Sequence, residues 1–133
     1  MRILHTSDWH IGRQLHGVSL LEDQRHVLEQ IVATVAARAI DVVVIAGDIY
    51  DRAVPSPDAV ILLDQVLHAL NGECGVPVIL IAGNHDGPER LGFAARQLAR
   101  SGVHVCGPLQ PEPRPVLLED EHGSVAFYPL PYA

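Results

Sequence analysis

The sequence has no lysine. All nine basic residues are arginine, set against sixteen acidic ones, for a formal net charge of −7. Proteins that hold nucleic acid by charge usually show a basic patch, and this composition does not supply one. Part of the negative excess is instead expected to gather at a cation site. Cysteine is scarce too. Cys74 and Cys106 form no CxxC or other ligand spacing, which argues against a thiolate metal site and for two reduced, half-buried thiols. No apolar run reaches the roughly 18 residues of a membrane span, so no membrane partner is expected. The start, MRILHTSDWH, has no signal-peptide h-region. A cytoplasmic protein is the expectation.

What is present suits a globular chain. With 133 residues and 48% hydrophobic content, the chain is one domain or part of one. Residues 2–6 read as a strand, followed by a polar loop. Ser19-Leu-Leu-Glu22 has capping-box spacing and predicts a helix to about Ala39. Its apolar face is Leu20, Val27, Leu28, Ile31, Val32 and Val35. VVVIA at 42–46 predicts a second strand. Ser56 and Pro57 form an N-cap and N1 pair, opening a helix to about Leu70. VPVILIA predicts a third strand, Pro88 a third helix through about Arg100, and VHVC a fourth strand. A proline-rich connector then leads to a hairpin, VLLED and SVAFYPL around EHG.

The alternation β-α-β-α-β-α-β predicts an α/β fold with parallel strands. The runs VVVIA and VILIA lack polar alternation, so both faces of the sheet need cover. Three helices cover one face, and the hairpin begins to cover the other. The expectation is a piece of something longer, with an exposed sheet face that drives self-association.

Three of the apolar runs end in polar clusters: DWH at 8–10, GDIYD at 47–51 and GNHD at 83–86. Carboxylate, imidazole and amide groups are costly to bury without partners. Parallel strands deliver their carboxyl ends to one edge, where α/β sheets carry ligands. The set therefore predicts a convergent site. Oxygen and nitrogen donors without thiolate suit Mn, Fe, Mg or Zn. Gly47 and Gly83 precede the clusters and would permit close backbone approach. One such motif alone is most often a turn or a helix cap, but three in this order point to a site.

These motifs resemble DxH, GDxxD and GNH[DE] of the calcineurin-like metallophosphoesterases. The longer stretches LHTSDWHIG and AGDIYDRAVPSPDAV are similar to the SbcD-type DNA nuclease subunits of that family, over Met1 to about Ala133. The resemblance implies an αββα sandwich, with residues 1–133 as the amino-terminal part of one nuclease domain: the β-α-β-α-β-α-β half plus the start of the second sheet. It implies that Asp8 and His10 bind one metal, that Asp48 bridges to a second, and that Asn84 binds the second. His85 would protonate or stabilise the leaving oxygen, and Asp51 would orient His85. Asp86 reads rather as a cap on the third helix, with Glu89 three residues on. Arg52 is a candidate phosphate contact, although GDIYDRA lacks the glycine that follows the arginine in the Ser/Thr phosphatases.

The implied activity is a Mn²⁺-dependent phosphodiesterase, with Mg²⁺, Fe²⁺ or Zn²⁺ as alternatives. It would act as exonuclease and endonuclease on DNA double-strand ends and hairpins, with an SbcC-like ATPase as partner. A phosphoesterase for nucleotides or phosphoproteins, or a non-catalytic scaffold of the same fold, are the competing readings. The family's later histidine motifs and its DNA-capping region are not among these residues, so weak binding of metal, or of one ion only, is expected. The other histidines carry no ligand spacing. His5 reads as a core histidine, His16 as a loop residue near substrate, and His26, His68, His104 and His122 as helix, strand and turn residues. Trp9 reads as packing for its loop.

Overall fold

The computed structural model describes residues 1–133. Its elements are β1 (Ile3–Thr6), β2 (Gln14–Leu15), β3 (Val18–Ser19), α1 (Leu21–Arg38), β4 (Val42–Ala46), α2 (Pro57–Leu67), β5 (Val78–Ile81), α3 (Pro88–Leu91), α4 (Ala95–Leu98), β6 (Val103–Cys106), β7 (Val116–Asp120) and β8 (Gly123–Phe127). Four strands form one parallel sheet in the order β1-β4-β5-β6. The predicted mixed α/β architecture with a parallel central sheet is therefore present. The predicted hairpin is present as β7–β8. A second, smaller hairpin, β2–β3, was not anticipated. It closes on His16 and Gly17, both with positive φ (50° and 76°), the geometry that a two-residue hairpin loop needs.

Strand register fixes two unlike sheet faces. Leu4 aligns with Val43, Val43 with Val78, and Val78 with Val103, and side chains in register share a face. This inner face joins Leu28 and Val35 of α1 and Leu62 and Val66 of α2 in one core of 19 buried residues. On the outer face, Val42 and Ile79 are buried but Ile3 is 46% exposed. His5 also lies on this face and is exposed, which corrects the expectation of a core histidine. β1 is an edge strand. The segment after β6 is anchored near this face: the Met1 amine pairs with Asp120, and Tyr132 N–H donates to Ala82 O at 2.9 Å.

Three helix expectations are corrected. Ser19 does not cap α1. It lies in β3, and its hydroxyl accepts Leu21 N–H at 3.2 Å while Leu20 takes the cap position. Val27, assigned to the apolar face of α1, is 54% exposed. The single third helix is broken into α3, α4 and a 3₁₀ turn. The break falls where the chain returning from β6 crosses Gly92. A Cβ on Gly92 would meet Pro108 at 3.3 Å, and Ala94 turns left-handed. The Ser56–Pro57 start of α2 is present, with Ser56 Oγ accepting Ala59 N–H at 3.2 Å. This helix continues as a π-helical turn over His68–Glu73.

Candidate metal centre

The loops leaving β1 and β4 run side by side beyond the sheet. Asp8 N–H donates to Gly47 O (3.0 Å), His10 N–H to Asp48 O (2.9 Å) and Ile11 N–H to Ile49 O (2.9 Å). Along this ladder Asp8, His10 and Asp48 all hold left-handed backbone, at φ of 56°, 45° and 50°. Such conformations cost non-glycine residues of order 1–3 kcal/mol each and persist where their surroundings over-determine them. The third loop closes in through Gly83. A Cβ there would lie 2.2 Å from both the backbone nitrogen and Oδ1 of Asp48. Only glycine lets the end of β5 come this close.

The side chains converge accordingly. His10 Nε2 lies 3.8 Å from Asp8 Oδ1 and 3.7 Å from Asp48 Oδ2. Asp48 Oδ1 accepts His85 N–H at 2.9 Å. The His10 and His85 rings meet edge to face, with centroids 4.8 Å apart. His85 Nδ1 lies 3.0 Å from the backbone carbonyl of Asp51. A carbonyl only accepts, so Nδ1 carries the proton and Nε2 is left for exchange. Asp51 thus meets His85 through its backbone carbonyl, while its carboxylate points elsewhere. That carboxylate turns to His10 Nδ1 (3.5 Å) and Arg13 (3.2 Å). Asn84 is exposed directly beyond Gly83. Arg52 is exposed and lines a cleft of about 480 Å³ with Gln14, Ser19 and Asp58. A cavity of about 620 Å³ lies elsewhere, between β6 and residues 110–116.

Three contributors escaped the sequence reading. Asp86 does not cap α3, whose N-cap is Gly87. Its buried carboxylate accepts Ile49 N–H (3.1 Å), Tyr50 N–H (2.8 Å) and Gly83 N–H (2.8 Å), tying two of the loops together. Gln24 of α1 spans the first loop, donating to Trp9 O (3.1 Å) and His10 O (2.7 Å) and accepting Gly12 N–H (3.0 Å). Its signal was legible: it lies four residues before Leu28 and seven before Ile31, a polar residue on the buried stripe. Arg13, pairing with Asp51, had no signal. Trp9 packs in the core as expected and donates to Thr6 Oγ1 at 3.0 Å. Burial of Tyr50, with the Asp86 carboxylate second, pushes its phenol up to about 12.

The donor set fits a divalent cation. Ligand atoms of Asp8, His10 and Asp48 all lie within 4.8 Å of one another, and so do those of His10, Asp51 and His85. The nearest arginine pairing, that of Arg13, goes to Asp51 and leaves Asp8 and Asp48 facing each other across His10. Oxygen and imidazole donors of this kind suit Mn, Mg, Fe or Zn without selecting among them.

A family model described as calcineurin-like phosphoesterase matches residues 1–125. The chain is 42% identical over all 133 residues to the SbcD subunit of the nuclease SbcCD from Staphylococcus saprophyticus and covers 34% of that protein. It thus spans about a third of the length of that curated relative. Among solved structures it is similar to the nuclease MPE of Pseudomonas putida, with 21% identity, 97% of this chain and 73% of that one covered, and a TM-score of 0.45. No helix is long and apolar enough to cross a membrane.

Proposed function

The chain belongs to the calcineurin-like phosphoesterase family, and on that premise we propose that residues 1–133 form the amino-terminal part of a metal-dependent DNA nuclease domain. The substrates would be double-strand ends and hairpins, and the partner an SbcC-like ATPase. The observation that carries this reading is the convergence of Asp8, His10, Asp48 and His85 at one sheet edge, on backbone held left-handed at three of the four. The identity to an SbcD-type protein supports the choice of DNA over other phosphoesters.

Asp8, His10 and Asp48 would hold the cation, with Asn84 at a second position. Mn²⁺ is the proposed ion. When bound, the ion would supply charge neutralisation on the phosphate. Water attacks phosphorus in line, and the phosphorus–oxygen bond opposite breaks. His85 in its imidazolium form, with Nδ1–H held by the Asp51 carbonyl, would pass its Nε2 proton to the departing oxygen and be left as the neutral Nδ1–H ring, ready to take up a proton released by the attacking water. Arg52 would contact a flanking phosphate. The half-covered outer sheet face and the hairpin also support self-association.

Cleavage of end-labelled hairpin DNA in Mn²⁺, by the wild type beside Asp48→Asn, tests the reading. The expected outcome is cleavage reduced at least about 100-fold in the variant, as for loss of a group central to catalysis. Equal cleavage by both proteins, or hydrolysis of small phosphoesters without hydrolysis of DNA, would sink it.

A further inference from the structure

His10 belongs to two overlapping ligand sets. Its Nε2 faces Asp8 and Asp48, and its Nδ1 faces Asp51, beside His85. A neutral imidazole has one N–H and one lone pair, so the ring can offer a lone pair to one side only. Its Nδ1 is buried and has no formed hydrogen bond to fix the choice. What stands opposite it, at 3.5 Å, is the Asp51 carboxylate.

Arg13 holds that carboxylate. Its Nη1 lies 3.2 Å from Asp51 Oδ1, the same oxygen that faces His10. Arg13 is itself tied to the loop, since its N–H donates to His10 O at 3.0 Å. The guanidinium also sets a positive charge beside the Asp51 carboxylate. A metal ion there would have to displace it or meet its positive charge at close range.

We propose that Arg13 is a positioning residue: it keeps Asp51 opposite His10 Nδ1, favours the Nδ1–H form, and so commits Nε2 to the Asp8–Asp48 side. Its consequence for metal binding rests on the proposed metal centre, whereas the state of the ring does not. Hydrogen-bond partners that orient a ligating histidine usually shift metal affinity by about 10–100-fold when removed.

The test compares wild type, Arg13→Gln, Arg13→Lys and Asp51→Asn. Nitrogen-15 spectra of the metal-free proteins at about pH 8, where an ordinary imidazole is neutral, report which His10 nitrogen carries the proton. Calorimetric titration with Mn²⁺ alone reports binding. Wild type and Arg13→Lys are expected to show the Nδ1–H form. Arg13→Gln and Asp51→Asn are expected to show both forms, with Mn²⁺ bound about 10-fold more weakly. Arg13 is half exposed, so the glutamine variant is expected to melt like the wild type. A wild-type His10 spectrum in Arg13→Gln overturns the proposal. A wild type that takes up no Mn²⁺ overturns the metal centre instead, and the ring spectrum then still decides the role of Arg13.

Discussion

At the carboxyl edge of the sheet, one carboxylate, Asp86, answers three backbone N–H groups from two loops. On the outer face, by contrast, Ile3 and His5 meet solvent although Leu4 between them packs into the core. The edge is rich in polar groups, and the backbone of its loops is held by named partners. The outer face is apolar and partly bare. Burial of apolar surface stabilises the inner layers without direction, but it cannot hold Asp8, His10 and Asp48 in left-handed backbone. Directed hydrogen bonds from Asp86, Gln24 and the loop ladder do that. In this chain apolar burial builds the platform, and polar satisfaction shapes what stands on it.

The sharpest way to break the contrast is Asp86→Ala. It strips partners from Ile49, Tyr50 and Gly83 at once. Bonds to charged acceptors contribute about 1.5–3 kcal/mol each, without strict additivity, so a loss of about 4 kcal/mol is expected in urea denaturation. A loss below about 1 kcal/mol would mean that the loops are held by other means. A smaller effect is expected on the other side of the comparison. Leu117 of β7 is 65% exposed and Tyr128 is 61% exposed. Replacing Leu117 by Ser should leave stability within about 0.5 kcal/mol while lowering the concentration-dependent self-association seen in light scattering. A wild type that stays monomeric over a wide concentration range would count against that association.

The same contrast explains what could be read in the sequence. β4 and β5 were legible because VVVIA and VILIA are apolar on both faces, and α2 because Ser56 and Pro57 mark its start. The residues of the site were legible as endings of strands. Of their partners, Gln24 left a signal on the apolar stripe of α1, whereas Asp86 and Arg13 did not. Asp86 follows His85 and precedes Gly87-Pro88, a context that fits a helix cap equally well. Only the path of the loop after β4 brings Ile49 and Tyr50 over its carboxylate. Arg13 meets Asp51 from 38 positions away. The break between α3 and α4 depends on Gly107 passing Gly92, a crossing without local signature. Periodicity reports faces of elements, whereas these contacts depend on where loops cross in space.

The mildest test concerns His104, on the outer face of β6. It lines the large cavity with Cys106, Glu112 and Arg114. Burial lowers its imidazole from the ordinary 6.5 and raises the Cys106 thiol. A lowered histidine prefers its neutral form in the folded state, while the unfolded chain takes up a proton as usual. The unfolded state therefore binds more protons as pH falls through 6.5, and stability falls with it. The contribution is present above 6.5 and is lost toward the lowered folded value. In His104→Gln this slope should shrink, because the buried amide has no such equilibrium. Urea midpoints measured at about pH 7.5 and about pH 5.5 should then lie closer together in the variant than in the wild type. Equal separations in the two proteins would mean that His104 is hydrated through the cavity, and that the outer face is more open around β6 than the burial of Ile79 implies.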